Sequence, residues 1–438
     1  MNHPVTAVRI KRHVVPIGNT AFEGDLFDRR KLADRLTKSI ELLRDGGAIA
    51  IDSPWGSGKT WFAKNWKLDL EQNRGFEAIY IDAFALDYVD DPFLMIAGEL
   101  LAVARKKQPD KARSLLEASS RLGKAILPMS AKVVTGIASK WLVGESAAEG
   151  LGEALEEAVE GVGGLLEKQI EKKLEAYESE KQSAAVYRNL LENLAVSLTN
   201  PIVVFVDELD RCRPDFAVKT IERIKHFFEV PGVVFVLLVN RPQLCASIRG
   251  AYGADLDADA YLRKFLLFSL HLPKLSANSY DDFNIVYCKA ILSAYGISNS
   301  KAGTNFAEQF GAVSSALGLE FRDLERGVAL YALAGPINNS SPLVAWVIAL
   351  KMWKPDIYAR LAKGEARAHA DVVELSKENR FGESYVVTHA LNLHRSYAEN
   401  FKTPLPRDSA EHLHHMTGNV SMDRAFPWIF SKIDLSVT

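Results

Sequence analysis

Three near-continuous apolar runs, at residues 48–51, 202–206 and 233–239, constrain this chain more than any other feature. A strand that is apolar at successive positions has no face to give to water, so it must be covered on both sides. That is the environment of a parallel sheet packed between helices. Residues 78–84 and 266–272 read as two further strands. Between them lie segments of helical spacing: 28–43, with Leu32, Leu36, Ile40 and Leu43 on one face, then 93–106, 217–228, 243–251 and a short turn at 261–264. Five strands alternating with helices predict an α/β fold built on a five-stranded parallel sheet with right-handed connections.

Two of the apolar runs end in chemistry. After residues 48–51 comes Ser53-Pro54-Trp55-Gly56-Ser57-Gly58-Lys59-Thr60, followed by Trp61 and a helical segment. Phosphate oxygens must approach a ring of backbone N–H groups and the positive end of a helix, and Gly56 and Gly58 permit that approach. Lys59 is placed to reach β- and γ-phosphates, and the Thr60 hydroxyl to ligate Mg2+. Ser53 stands where G-x-x-x-x-G-K-[ST] has its first glycine. The run at 202–206 delivers Asp207 and Glu208 at the C-terminal end of its strand, where ligands bind in open α/β sheets. Asp207 is read as the Mg2+ carboxylate and Glu208 as the base that polarises the attacking water.

Composition narrows the alternatives. A chain of 438 residues with a formal net charge of −2 has no basic field of the kind that draws nucleic acid. Cys212, Cys245 and Cys288 are scattered without metal or redox spacing, which fits a reducing, cytoplasmic setting. The basic cluster Arg9, Lys11, Arg12 and His13 is too short and polar for a secretory signal and reads as a solvated lead-in. Residues 125–144 form the most apolar long stretch, but Lys132, Lys140 and Pro128 interrupt it. A buried or partner-facing helix is the default there, ahead of a membrane span or peripheral membrane association. His412, His414 and His415 lack the companions of a metal site and read as part of a solvated tail.

The segment Val204-Phe205-Val206-Asp207-Glu208-Leu209-Asp210-Arg211-Cys212 resembles the KAP family of P-loop NTPases. The phosphate loop, Asp91-Pro92-Phe93, Tyr261-Leu262-Arg263-Lys264-Phe265 and Glu320-Phe321-Arg322-Asp323-Leu324-Glu325-Arg326 are similar to other segments of that family, so the resemblance covers about residues 20–335. Glu208 and Asn240 stand where that family often has aspartate. The resemblance implies an ATPase of the additional-strand class with strand order 5-1-4-3-2. In that order Asn240 ends the strand between the acidic pair and the phosphate loop and senses the γ-phosphate. Arg263 or Lys264 is implied as a cation reaching the γ-phosphate, in the same chain or a neighbouring one, and Arg322 with Arg326 as lid residues that report nucleotide state.

The expected organisation is a core in two parts, 1–106 and 199–274, interrupted by a helical insertion at 107–198. A helical lid and C-terminal domain follow at 275–400, and then a polar tail at 401–438 with an apolar stretch at 426–430. The resemblance further implies a bacterial switch ATPase using ATP and Mg2+, of a type found in prophages, plasmids and antiviral defence loci. Protein partners would then bind the insertion and the C-terminal domain, and a homo-oligomer stays open. Two other classes stand beside it: a nucleotide-gated scaffold with slow turnover, and a nucleic-acid motor. The balanced charge and the lack of a basic stripe with interleaved aromatics count against the motor.

Overall fold

The computed structural model of the chain describes residues 17–126, 165–273, 282–297, 301–335, 342–378, 384–402 and 421–434. The lead-in cluster at 9–13, most of the 125–144 stretch and the three histidines at 412–415 lie outside them. Five strands form one sheet: β1 Gly47–Asp52, β2 Ala78–Asp82, β3 Ile202–Asp207, β4 Val233–Val239 and β5 Phe268–His271. Their order is β2-β3-β4-β1-β5, with every pairing parallel, which is the expected 5-1-4-3-2 arrangement.

The continuous apolar runs are explained by what covers them. β1, β3 and β4 are buried at every position. Alternation of side chains across the pleat sends Ala48 and Ala50 to one core layer and Ile49 and Ile51 to the other. The second layer is closed by α1 (Arg29–Leu42) and α2 (Lys59–Asn73), through Ala33, Leu36, Ile40, Phe62 and Trp66. The first is closed by α3 (Pro92–Lys107), α4 (Pro109–Ile126), α5 (Leu165–Val196), α6 (Pro214–Arg223), α7 (Arg241–Tyr252) and the short α8 (Ala258–Leu262).

Several expected boundaries move. The second strand stops at Asp82: after a last bond from Ala83 N to the Asp207 carbonyl, the chain turns through Phe84–Leu86. The last strand is only Phe268–His271 and half exposed, since β5 pairs on one side alone. The helix expected at 217–228 begins at Pro214, and its last turn, Ile224–Phe228, widens into a π-helix.

The insertion expected at 107–198 is not a free arm at its described ends. Ala112, Leu115, Ala118 and Leu122 of α4, with Tyr187, Leu191 and Leu194 of α5, are buried in the same core layer as β3 and β4. Phe93 and Phe228 stack at 5.5 Å, and Tyr187 meets both rings edge-on. Both described ends of the insertion are therefore rooted in the sheet's flank.

The C-terminal region is helical as expected, with α9 (Phe283–Ala294), α10 (Lys301–Leu317), α11 (Phe321–Leu333), α12 (Pro342–Trp353), α13 (Pro355–Ala362), α14 (Ala366–Glu378), α15 (Tyr385–Ala398) and α16 (Ala425–Ile433). Helix α12 is buried along most of its length, from Leu343 to Leu350, which makes it the axis of this second core. The expected tail needs correction at its end: Phe426, Ile429, Phe430 and Ile433 are buried against this core, so α16 is part of the helical domain. Phe27, from the segment before α1, belongs to the same cluster and ties the helical domain to the sheet domain. Among the described residues no helix is long and apolar enough to cross a membrane.

Candidate functional site

The carboxyl ends of β1 and β3 face one cavity of about 630 Å³. β4 lies between these two strands, so the loop after β1 and the acidic pair after β3 stand apart with room between them. The loop from Ser53 to Gly58 takes up left-handed backbone at two positions, Gly56 (φ 89°) and Gly58 (φ 86°), which residues with side chains adopt only at a cost. It then enters α2 with no side-chain cap at Gly58. The first N–H groups of a helix have no intrahelical acceptor, so this end of α2 offers donors and a positive dipole to an anion.

Trp55, Gly56, Gly58, Lys59, Thr60 and Trp61 line the cavity, and Ser53, Pro54 and Ser57 do not. Ser53, the departure from glycine, is buried, and its hydroxyl accepts a bond from Leu272 N at 3.3 Å, fastening the loop to the end of β5. The Lys59 ammonium donates to the carbonyls of Ser53 and Pro54. Burial lowers the Lys59 pKa, opposed most by the charge of Asp210 and then by Asp207, Glu208 and Asp52.

Across the cavity Asp207 is held from three sides. Thr60 Oγ1 donates to its Oδ2 at 2.6 Å, the Tyr80 hydroxyl donates to the same oxygen at 2.8 Å, and Glu208 N donates to Oδ1 at 2.8 Å. Burial and the neighbouring Asp207 raise the Tyr80 pKa, so the phenol stays a donor. The oxygens of Thr60 and Asp207 thus converge on one point beside the phosphate loop. Hard oxygen ligands beside a phosphate site are what Mg2+ selects.

Glu208 has a left-handed backbone, φ 60°, unusual for a residue with a side chain. That turn aims its carboxylate along the cavity wall, where Arg211 Nε meets it at 2.5 Å. Burial is the main cause that raises the Glu208 pKa; Asp207 adds to it and Arg211 opposes it. Arg211 also lies over the Trp55 ring, 5.6 Å from its centroid, and the Trp55 indole donates to Asp210. A carboxylate kept partly basic beside a phosphate cradle can accept a proton from water.

The remaining expected residues divide. Arg322, at the start of α11, lines the cavity, and a Cβ placed on Gly56 would meet its Cβ at 2.9 Å. Arg326, one turn on, does not line it. Asn240 follows β4, between β1 and β3 as expected, and its carbonyl receives Gln243 N and Leu244 N at the start of α7. Its side chain is outside the cavity lining. Arg263 and Lys264 follow α8, exposed to solvent, and neither residue lines the chain's own cavity.

Residues 29–305 match the KAP family P-loop domain. The chain belongs to the KAP family of P-loop NTPases. No curated protein matches it. A solved structure of the Aeropyrum pernix ORC2 protein in ADPNP–ADP complexes is similar over 93% of this chain and 94% of that chain, at 12% identity and a TM-score of 0.35. That likeness is too remote to bear on the site.

The match to the KAP domain covers the phosphate loop and the acidic pair but ends before Arg322, and it begins at a residue the sequence reading passed over. Arg29, the first residue of α1, is buried, and its guanidinium donates to the carbonyls of Ser57 at 2.7 Å and Gly58 at 3.0 Å. It sits in the run Phe27-Asp28-Arg29-Arg30-Lys31, which reads like any solvated helix start. Nothing in its spacing separated it from Arg30, an exposed residue on the same turn. The other wall of the KAP cavity is apolar and aromatic, formed by Leu26, Phe27, Tyr287 and Phe321. Phe27 and Phe321 stack at 5.0 Å with their planes 6° apart.

Proposed function

We propose that this KAP protein binds ATP with Mg2+, hydrolyses it, and uses the bound and cleaved states to switch the helical domain between two arrangements. The observation that carries this reading is the convergence of Lys59, Thr60, Asp207, Glu208 and Arg322 on one cavity with a flat aromatic wall. The loop N–H groups and Lys59 would hold the β- and γ-phosphates, and the aromatic wall would take the base. Thr60 and Asp207 would hold Mg2+, which supplies charge neutralisation on the phosphates when bound. Glu208 would accept the proton of the attacking water, and Arg322 would place a positive charge beside the transferred group from the lid. In this reading Asn240 orients water at the end of β4. Arg263 or Lys264 serves only as a cation given to a neighbouring copy in a homo-oligomer.

The test is a pair of variants in the purified protein. Lys59→Ala should abolish nucleotide binding, and Glu208→Gln should keep binding while turnover falls about 100-fold or more. Equal weakening of binding and turnover in Glu208→Gln would remove Glu208 as the base. GTP competing as well as ATP would remove the preference for adenine.

The ion pair between Glu208 and Arg211 favours a second reading, a nucleotide-gated scaffold in which the base is restrained and hydrolysis is a slow timer. Turnover below about one per minute, against the roughly 1–1000 per second of ordinary enzymes, would select it. For the biological setting we propose phage exclusion in bacteria, supported by the family resemblance, with protein partners engaging the 107–198 insertion and the helical domain. Equal plaque counts on hosts carrying the intact gene and its Lys59→Ala form would remove that setting.

A further inference from the structure

Resting on the nucleotide reading of this site, we infer that Arg29 is a positioning residue that aims the phosphate-binding N–H groups of the loop from behind and couples the loop to the helical lid. The argument begins with the peptide plane. In a trans peptide the C=O and the following N–H point in opposite directions. The Ser57 carbonyl shares its plane with Gly58 N–H, and the Gly58 carbonyl shares its plane with Lys59 N–H. Arg29 Nη2 and Nη1 hold those two carbonyls at 2.7 and 3.0 Å. The Gly58 carbonyl also accepts Phe62 N at 3.0 Å in the first turn of α2, so the guanidinium fork ties the Ser57 plane to a plane the helix already holds, and with them the two N–H groups on the opposite side. Lysine, a point charge with freely turning donors, cannot impose that geometry.

The same guanidinium makes the connection to the lid. Its carbon lies 5.6 Å from the centroid of the Phe321 ring and 5.7 Å from that of Phe27. Phe321 is the first residue of α11 and the neighbour of Arg322, whose Cβ and backbone N lie where a Cβ on Gly56 would meet them, at 2.9 and 3.3 Å. Arg29 thus binds the loop at Ser57 and Gly58 and lies over Phe321 in the first turn of α11, and Arg322 of that same turn lies beside the loop at Gly56. Space at this junction is tight: a Cβ on Gly58 would come within 2.6 Å of Arg29 Nη1. A small rotation of either loop peptide must move the fork, and the fork is stacked on the lid. Burial lowers the Arg29 pKa to about 10, still far above neutrality, so the donor set stays complete under ordinary conditions.

The experiment compares wild type, Arg29→Lys and Arg29→Gln as full chains, using a fluorescent ADP analogue for affinity and hydrogen exchange for the segments 55–62 and 319–325. In wild type, ADP should slow exchange in both segments together. Arg29→Lys should bind ADP about ten-fold more weakly, as expected for losing a charge-assisted bond, and ADP should no longer protect 319–325. Affinity and lid protection in a folded Arg29→Lys equal to wild type would overturn the inference and leave the nucleotide reading intact. Failure of wild type to bind ADP would overturn the nucleotide reading itself. If neither variant folds, the wild-type exchange decides: protection of 55–62 without protection of 319–325 overturns the coupling.

Discussion

The indole of Trp55, in the phosphate loop, donates to the carboxylate of Asp210, three residues past the principal acid Asp207 and 155 residues along the chain. The bond ties together the two halves of a site that the strand order holds apart. It also occupies a buried carboxylate that, of all the acids nearby, acts most strongly on Lys59.

Replacing Trp55 with phenylalanine keeps the ring and removes the donor. Asp210 is then free to pair with Lys59 and compete with phosphate for it. The expected outcome is a several-fold rise in KM for ATP, with kcat changed less, the pattern of lost ground-state binding. Steady-state kinetics check it, and an unchanged KM would show that the indole bond does not restrain Asp210.

The Glu208 carboxylate lies between burial, which raises its pKa, and Arg211, which opposes the rise. Arg211→Ala removes the opposing charge. The acid limb of the kcat profile should therefore move to higher pH, because Glu208 then holds its proton over a wider range. A limb that stays in place, or moves to lower pH, would mean that Glu208 is not the group titrating in turnover.

Gly56→Ala adds one methyl group at φ 89°, against Arg322 Cβ at 2.9 Å and Glu320 Cβ at 3.3 Å. The left-handed backbone costs an alanine about 1–2 kcal/mol, and the clash pushes the lid from the loop. If the free loop relaxes to escape that strain, binding must restore it, and we expect nucleotide affinity to fall about ten-fold. Titration with a fluorescent nucleotide measures it.

His369 and His394 form a buried pair in the helical domain, with Nδ1 atoms 2.8 Å apart, and Trp346 donates its indole N–H to His394 Nε2 at 3.0 Å. Burial holds the His369 pKa down to about 4, and burial with the neighbouring ring holds that of His394 well below the usual value of 6.5. The unfolded chain binds protons first as pH falls, so the contribution of His369 is complete above about 6.5 and is lost between there and about 4, and that of His394 is lost in the same direction. For His369 alone the loss is up to roughly 3 kcal/mol. Thermal unfolding across this window should show a falling midpoint, and His369→Leu should flatten the fall.

Asp91 explains a stretch of sequence that carried the family resemblance. It caps α3 by accepting from Phe93 N at 2.9 Å and receives Arg223 through both carboxylate oxygens, the closest contact being 2.7 Å. Asp91→Ala removes a cap and leaves Arg223 without its partner. The expected cost is about 2–4 kcal/mol in urea unfolding, with the loop chemistry at Lys59 unaffected.

What was legible in the sequence follows from burial. β1, β3 and β4 are covered on both faces, so their composition had to be continuous and apolar, and that fixed the loop and the acidic pair at the ends of buried strands. β5 is an edge strand with two exposed positions, Phe268 and His271, and its length could not be read from apolarity. The strand order came from resemblance, because periodicity says nothing of neighbours. Arg29 was illegible for the opposite reason: a charged side chain buried by tertiary contacts is indistinguishable in sequence from one in water. Arg263 and Lys264 show the converse, cations in a family-like segment whose position at the sheet edge only the fold reveals.

The approach of Arg322 to Gly56 also sets an order of events during the making of the protein. The phosphate loop leaves the ribosome early, whereas the helix that rests on it follows after both the insertion and the acidic strand. At about 5–20 residues per second the interval is roughly ten seconds to a minute. Throughout that time the loop is a cradle without a cover, and Arg29 has no Phe321 to stack upon. A chain truncated before Glu320 would keep the loop and the acidic pair and lack Phe321 and Arg322, so the packing of α11 beside the loop forms only once synthesis has passed that point.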